Sequence, residues 1–134
     1  MMQVKQRNRK TRKRCGAVSV EFALMAPIIF ALFFGCIEIT RLNFLRHTAS
    51  NAAYEGARAS ILPGRSAADG IAEATQLLNN VGAGNGATVN VISSAESVQV
   101  TVSIPVDQNS WGLGRFTKNM NLVQSCTLRR ETTQ

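Results

Sequence analysis

The sequence predicts an α+β chain built from a long N-terminal transmembrane and extended helix, a short second helix and a small antiparallel β-sheet of about three strands. Three observations carry that prediction. An uncharged apolar run from Phe22 to Ile37 begins eight residues after the last cation, Arg14, of a basic block. Helix-compatible sequence then continues to the breaker pair Pro63-Gly64, and after the glycine-rich piece Gly82–Gly86 the hydrophobic period changes to two.

The first helix begins with a segment suited to lipid. Extended back through Ala17, the apolar run is about 21 residues, or about 30 Å as a helix, which matches a bilayer core. One charge, Glu21, falls inside that length. A carboxylate at bilayer depth costs on the order of a few kcal/mol. Energetics alone leaves two readings open: a functional acid within the span, or an interfacial residue at the start of a shorter one. Pro27 lies within the segment, where it removes one backbone hydrogen bond and favours a kink.

Charge distribution decides orientation and argues against nucleic acid as a partner. The chain has 15 Lys and Arg, 8 Asp and Glu, and a formal net charge of +7. Seven of those cations (Lys5, Arg7, Arg9, Lys10, Arg12, Lys13, Arg14) precede Gly16 with no acid among them, leaving eight cations against eight acids in the remainder. A basic block before a span is retained in the cytoplasm, which sends everything after Ile37 to the other side. The expected organisation is a basic leader at 1–16, a transmembrane helix at 17–37, its extension at 38–62, and a small periplasmic α+β domain at 63–134.

Beyond the span, Glu38 to Ile61 contains no proline and one glycine, so the same helix continues to about Ile61 and reaches roughly 65–70 Å. Leu42, Leu45, Ala49, Ala52, Ala53, Gly56, Ala57 and Ser60 form a stripe that changes from large to small residues. Small residues admit a second backbone closely, so the stripe is expected to dock the C-terminal domain or neighbouring subunits. Glu38 with Arg41, and Glu55 with Arg58, are spaced as i,i+3 pairs.

Ser66 and Asp69 mark a capped helix start, followed by an amphipathic helix over Ala67–Val81 with Ile71, Thr75, Leu78 and Val81 on its apolar face. The Gly82–Gly86 stretch is no phosphate loop, since it lacks the Lys-Ser pair and follows a helix. Thr88–Ser93 and Val98–Val106 alternate as two strands of a hairpin joined by Ser94–Ser97. Pro105 indicates an edge position or a strand end. A loop with Trp111, Gly112 and Gly114 leads to a third strand, Leu122–Leu128, and the tail from Arg129 through Glu131 is expected to fray.

No catalytic or metal constellation is present in the sequence, and no cofactor is implied. His47 is the single histidine and reads as a solvated helix residue; Trp111 reads as a loop anchor. Of the three cysteines, Cys15 belongs to the leader, Cys36 lies near the outer end of the span, and Cys126 reads as a small buried residue, so no disulfide framework follows. The chain is therefore expected to be an assembly module, not an enzyme.

The basic block, Gly16, and Glu21-Phe22 five residues later together resemble a class III signal peptide, which a prepilin peptidase cuts after the glycine. The further pattern Glu21-Phe22-Ala23-Leu24, Pro27, Glu38, Arg41, Ala52-Ala53 and Gly56-Ala57-Arg58 resembles the TadE-like family, minor pseudopilins of tight-adherence (Flp-type) pilus systems. The resemblance is strong from Cys15 to Arg58 and general in layout beyond. It implies a pilin-like fold, processing between Gly16 and Ala17, and assembly through Glu21, Phe22 and Pro27. Glu38, Arg41, Ala53, Gly56 and Arg58 form the helix signature. It also implies as partners inner-membrane lipid, the prepilin peptidase, other pilin-like subunits and the pilus assembly platform. Two other readings remain: a lipoprotein signal ending at Gly35-Cys36, to which Phe33-Phe34 is poorly suited, and an uncleaved anchor bearing a small enzyme or receptor domain.

Overall fold

The computed structural model describes residues 15–110 and 118–130. Its elements are α1 (Cys15–Ile61), α2 (Ala67–Asn80), β1 (Thr88–Ser93), β2 (Ser97–Pro105), α3 (Val106–Asn109) and β3 (Asn121–Arg129). The α+β class is borne out, with a long apolar N-terminal helix, a short second helix and a three-stranded antiparallel sheet. The leader through Arg14, the loop residues Trp111, Gly112 and Gly114, and the tail at Glu131 lie outside the described residues.

The chain forms two compact units that divide between Gly35 and Cys36. In the first, α1 is the described element. It is unbroken through Pro27, and its large apolar residues, such as Phe22, Leu24, Phe30 and Phe33, are exposed. Such a surface is stable in lipid, where backbone groups must be satisfied within the helix and side chains face hydrocarbon.

The second unit is a two-layer module with helices on one face of the sheet. The sheet has the order β1-β2-β3, with both pairings antiparallel. Val98, Val100, Val102 and Ile104 of β2 face inward and are fully buried. Each such side chain contributes on the order of 1.5–3 kcal/mol. They meet Leu45, Ala49, Ala52, Ala53 and Ala57 of α1, with Ala74 and Leu78 of α2. The small-residue stripe therefore docks the chain's own sheet.

Local sequence explains the joints. Ser66 caps α2 in a reciprocal box with Asp69: the Ser66 N–H donates to Asp69 Oδ2 at 2.7 Å, and the Asp69 N–H donates to Ser66 Oγ at 3.4 Å. At its other end the Ala83 N–H donates to Leu78 O and the Gly82 N–H to Asn79 O, with Gly82 at φ +68, a Schellman closure in which glycine supplies the left-handed residue.

Four expectations need correction, the first being the fraying tail: Arg129 ends β3, and the Arg130 N–H donates to Glu96 O at 2.8 Å. The buried face of α2 is Gly70, Ala74 and Leu78, while Ile71, Thr75 and Val81 are exposed. The close crossing with α1 selects the smallest residues for that face, not the most hydrophobic. The second strand stops at Pro105, and Val106 opens the single turn α3. Of the two alternatives for Pro105, the strand end holds: it closes the central strand β2, and its missing N–H points past Thr88, where β1 has not begun, so no ladder bond is lost. Cys126 is half-buried on β3, packed against the core from its margin.

Candidate functional site

Two groups of residues hold the sequence signals, one in each unit. Gly16, Ala17, Glu21, Phe22 and Pro27 lie on the first half of α1, and all are exposed. Ala17 and Glu21 are four residues apart and so share one helix face. The glycine at 16 lies in the first turn, where its low helix propensity makes local unwinding inexpensive. An added Cβ there would meet nothing within 4 Å.

The second group is built at the start of the packed half of α1. Glu38 is only 8% exposed, and the Ser110 hydroxyl donates to its Oε1 at 2.5 Å. One turn later Arg41 donates through Nε to the Asn109 carbonyl at 3.1 Å and through its terminal nitrogen to the Gly82 carbonyl at 3.2 Å. Its guanidinium also lies 5.2 Å from the Phe44 ring centroid, a cation–π distance. Glu38 and Arg41 thus do not form the expected pair with each other. Each instead reaches the Val106–Ser110 segment, and Arg41 also ties in the loop that closes α2.

Asn109 completes this clamp from the other side. It is buried, and its side-chain amide donates to the carbonyls of Asn85 and Pro105 at 2.8 and 2.9 Å. Sequence reasoning missed Asn109 and Ser110, because they end and follow a one-turn element, and the α1 partners of the Asn109 carbonyl and the Ser110 hydroxyl lie about 70 positions away. A weak signal existed: Glu38 is a lone acid beside an apolar span and needed a donor.

Gly56 is where α1 and α2 cross. A Cβ built at Gly56 would lie 2.9 Å from the Gly70 carbonyl oxygen, and one at Gly70 would lie 2.5 Å from the Gly56 carbonyl oxygen and overlap Ser60 Oγ. Ser60 Oγ donates back to the Gly56 carbonyl at 2.9 Å. Ala53 is fully buried beside this crossing. Arg58 is exposed and pairs with Glu55 at 3.6 Å, the expected i,i+3 pair. Exposed pairs of this kind contribute little. Together with Ala59, Leu62, Arg65 and Glu73 they line an open cleft of about 180 Å³.

Among the described residues, no three His, Cys, Asp or Glu gather as metal ligands, and His47 is exposed. The carboxyl of Asp69 is held below its ordinary value, chiefly by the Ser66 N–H, then by the Ser66 hydroxyl.

The described chain combines a helix with an exposed apolar first half, an acid in that half, and a small-residue second half packed on a sheet. The family model described as TadE, TadE-like protein, matches residues 16–58. This segment is TadE-like. The match starts at Gly16 and ends at Arg58, so it contains every signature residue on α1 and stops before α2 and the sheet. No curated protein and no solved structure matches the chain. The TadE-like helix includes the one described segment long and apolar enough to cross a membrane, which suits it to a membrane anchor.

Proposed function

We propose that this chain is a minor pilin-like subunit required for assembly of a tight-adherence (Flp-type) pilus in adhesion or secretion. It is inserted in the bacterial inner membrane with its N-terminus in the cytoplasm and its α+β module in the periplasm. A prepilin peptidase removes residues 1–16, and the freed Ala17 amino group and Glu21 then meet across neighbouring subunits. Opposite charges in a low-dielectric helix bundle offset each other's desolvation, whereas either alone is costly. The module acts by contact and catalyses nothing. Its partners are membrane lipid, the peptidase, other pilin-like subunits and the assembly platform; nucleic acid is not among them.

The observation that carries this reading is the TadE-like match over 16–58, which coincides with a helix whose first half has an exposed apolar surface around Glu21. Balanced charge in the remainder suits dense packing of subunits. Intact mass and N-terminal sequencing of the membrane form test it. The chain should begin Ala17-Val18-Ser19. A start at Met1 in cells that carry the peptidase, or at an acylated Cys36, contradicts it.

A further inference from the structure

The sheet has two unequal edges. β1 has six residues and α2 packs against it. β3 has nine residues, and its outer side meets no other strand among the described residues. The Val106 N–H donates to Met120 O at 2.9 Å and the Arg130 N–H to Glu96 O at 2.8 Å, closing the two ends of the β2–β3 ladder. Antiparallel pairs alternate between bonded and non-bonded. The even-numbered residues of β3 therefore bond to β2, and the N–H and C=O groups of Asn121, Val123, Ser125, Thr127 and Arg129 point to the open edge.

Long free edges are usually blunted by proline, bulges or inward charges. β3 contains no proline or glycine, pairs with β2 without a bulge, and has its one charge, Arg129, at its last position. Its inward residues are also under-covered. Leu122, Gln124, Cys126 and Leu128 are half-buried, while Ile104, Val102, Val100 and Val98 directly across on β2 are fully buried. The same margin therefore combines unpaired backbone groups with half-exposed apolar side chains. Its charge is one-sided: Lys118 flanks the strand, Arg129 ends it, and no acid lies between 118 and 130, Glu131 being the next residue, while the Arg130 guanidinium turns to Ser93 Oγ on β1 at 3.0 Å.

We propose that the β3 edge is a docking site for an extended peptide segment of a partner protein, one that adds as a fourth strand. Its alternate residues are apolar, covering Leu122, Cys126 and Leu128, and its ends are acidic, meeting the cations at both ends of β3. Backbone bonds supply affinity in such strand addition, and the alternate side chains supply specificity. A second copy of this chain fits poorly. Antiparallel pairing of two β3 edges would set Lys118 of one copy beside Arg129 of the other, like charges that repel. A parallel two-fold would turn the under-covered sides to opposite faces. The proposal does not depend on pilus assembly or on processing at Gly16.

The test is amide hydrogen exchange on the full chain in detergent, with and without a synthetic capped peptide of alternating valine and threonine that has glutamate at each end. Without peptide, the Val123, Ser125 and Thr127 amides should exchange rapidly while the Leu122, Gln124 and Cys126 amides are protected. With peptide the first set should slow by about tenfold or more. A lysine-ended peptide, and one N-methylated at alternate amides, should have little effect. Ser125→Pro removes the central edge donor without touching a β2 bond and should abolish the slowing; the wild-type exchange pattern decides the matter even where that variant fails to fold. Four results overturn the proposal: edge amides already protected without peptide, protection that rises with protein concentration alone, no slowing by the glutamate-ended peptide, or equal slowing by the lysine-ended one.

Discussion

Before Gly35, α1 exposes large apolar residues on every side, its bulk lying in phenylalanine, leucine and isoleucine; after Cys36 its buried apolar residues are mostly alanine, confined to one side. The two halves share backbone conformation but not surroundings. Lipid accepts large side chains in any direction, so the first half needs no stripe and no complementary shape. A protein neighbour at close range demands both, and the second half meets the demand with small residues and a fixed face. The transition is marked by Glu38 and Arg41, the first charged residues after the span, and both are spent on anchoring the module instead of facing water.

That contrast can be broken by moving bulk. The largest effect is expected at the helix crossing, where Gly70→Leu has no space and should unfold the module or cost about 3 kcal/mol or more. Ala31→Leu, the same kind of change in the exposed half, should leave the thermal transition of the module where it is. Removing bulk gives the reverse test. Leu45→Ala should destabilise the module by about 3 kcal/mol, measured by denaturant titration in detergent, and Leu32→Ala should not.

The clamp sharpens the comparison at its boundary. Glu38→Ala and Arg41→Ala should each cost about 1–3 kcal/mol, because each leaves a hydrogen-bonding partner of the loops unsatisfied. A double-mutant cycle between them should show little direct coupling, since they bind different atoms. Strong coupling would restore the simple i,i+3 pair that their spacing suggests.

How much of this was legible follows from range. The stripe from Leu45 to Ser60 was readable because helical spacing is local, and the two-residue period of β2 was readable for the same reason. The buried face of α2 was not. Ile71 and Val81 are the obvious apolar choices, but the face is set by the contact of Gly70 with Gly56, a tertiary event 14 positions away that propensity does not encode. Glu38 was legible as a signature residue and not as a clamp, because Ser110 and Asn109 are positioned by the β2–α3 turn. Of the first group, Glu21 and Gly16 were visible from their flanks alone.

The smallest expected effect concerns the α2 cap. Ser66→Ala should cost about 1 kcal/mol. The folded-state value of Asp69 lies below its ordinary one, so its contribution is fully present above the unfolded carboxylate value near 3.9 and is lost as pH falls through the folded value. Asp69→Asn should flatten the acid limb of a stability–pH curve for the module, with no change near neutrality in the residues before Gly35.

Glu21 tests the central claim most directly, because it is the one charge in the lipid-suited half of the TadE-like helix. In a strain that carries the pilus system, Glu21→Ala should leave the protein membrane-inserted at wild-type abundance while abolishing piliation and surface attachment, with Glu21→Asp retaining part of both. Wild-type pili on the Glu21→Ala strain, at equal protein abundance, would contradict the account and reduce Glu21 to an interfacial residue.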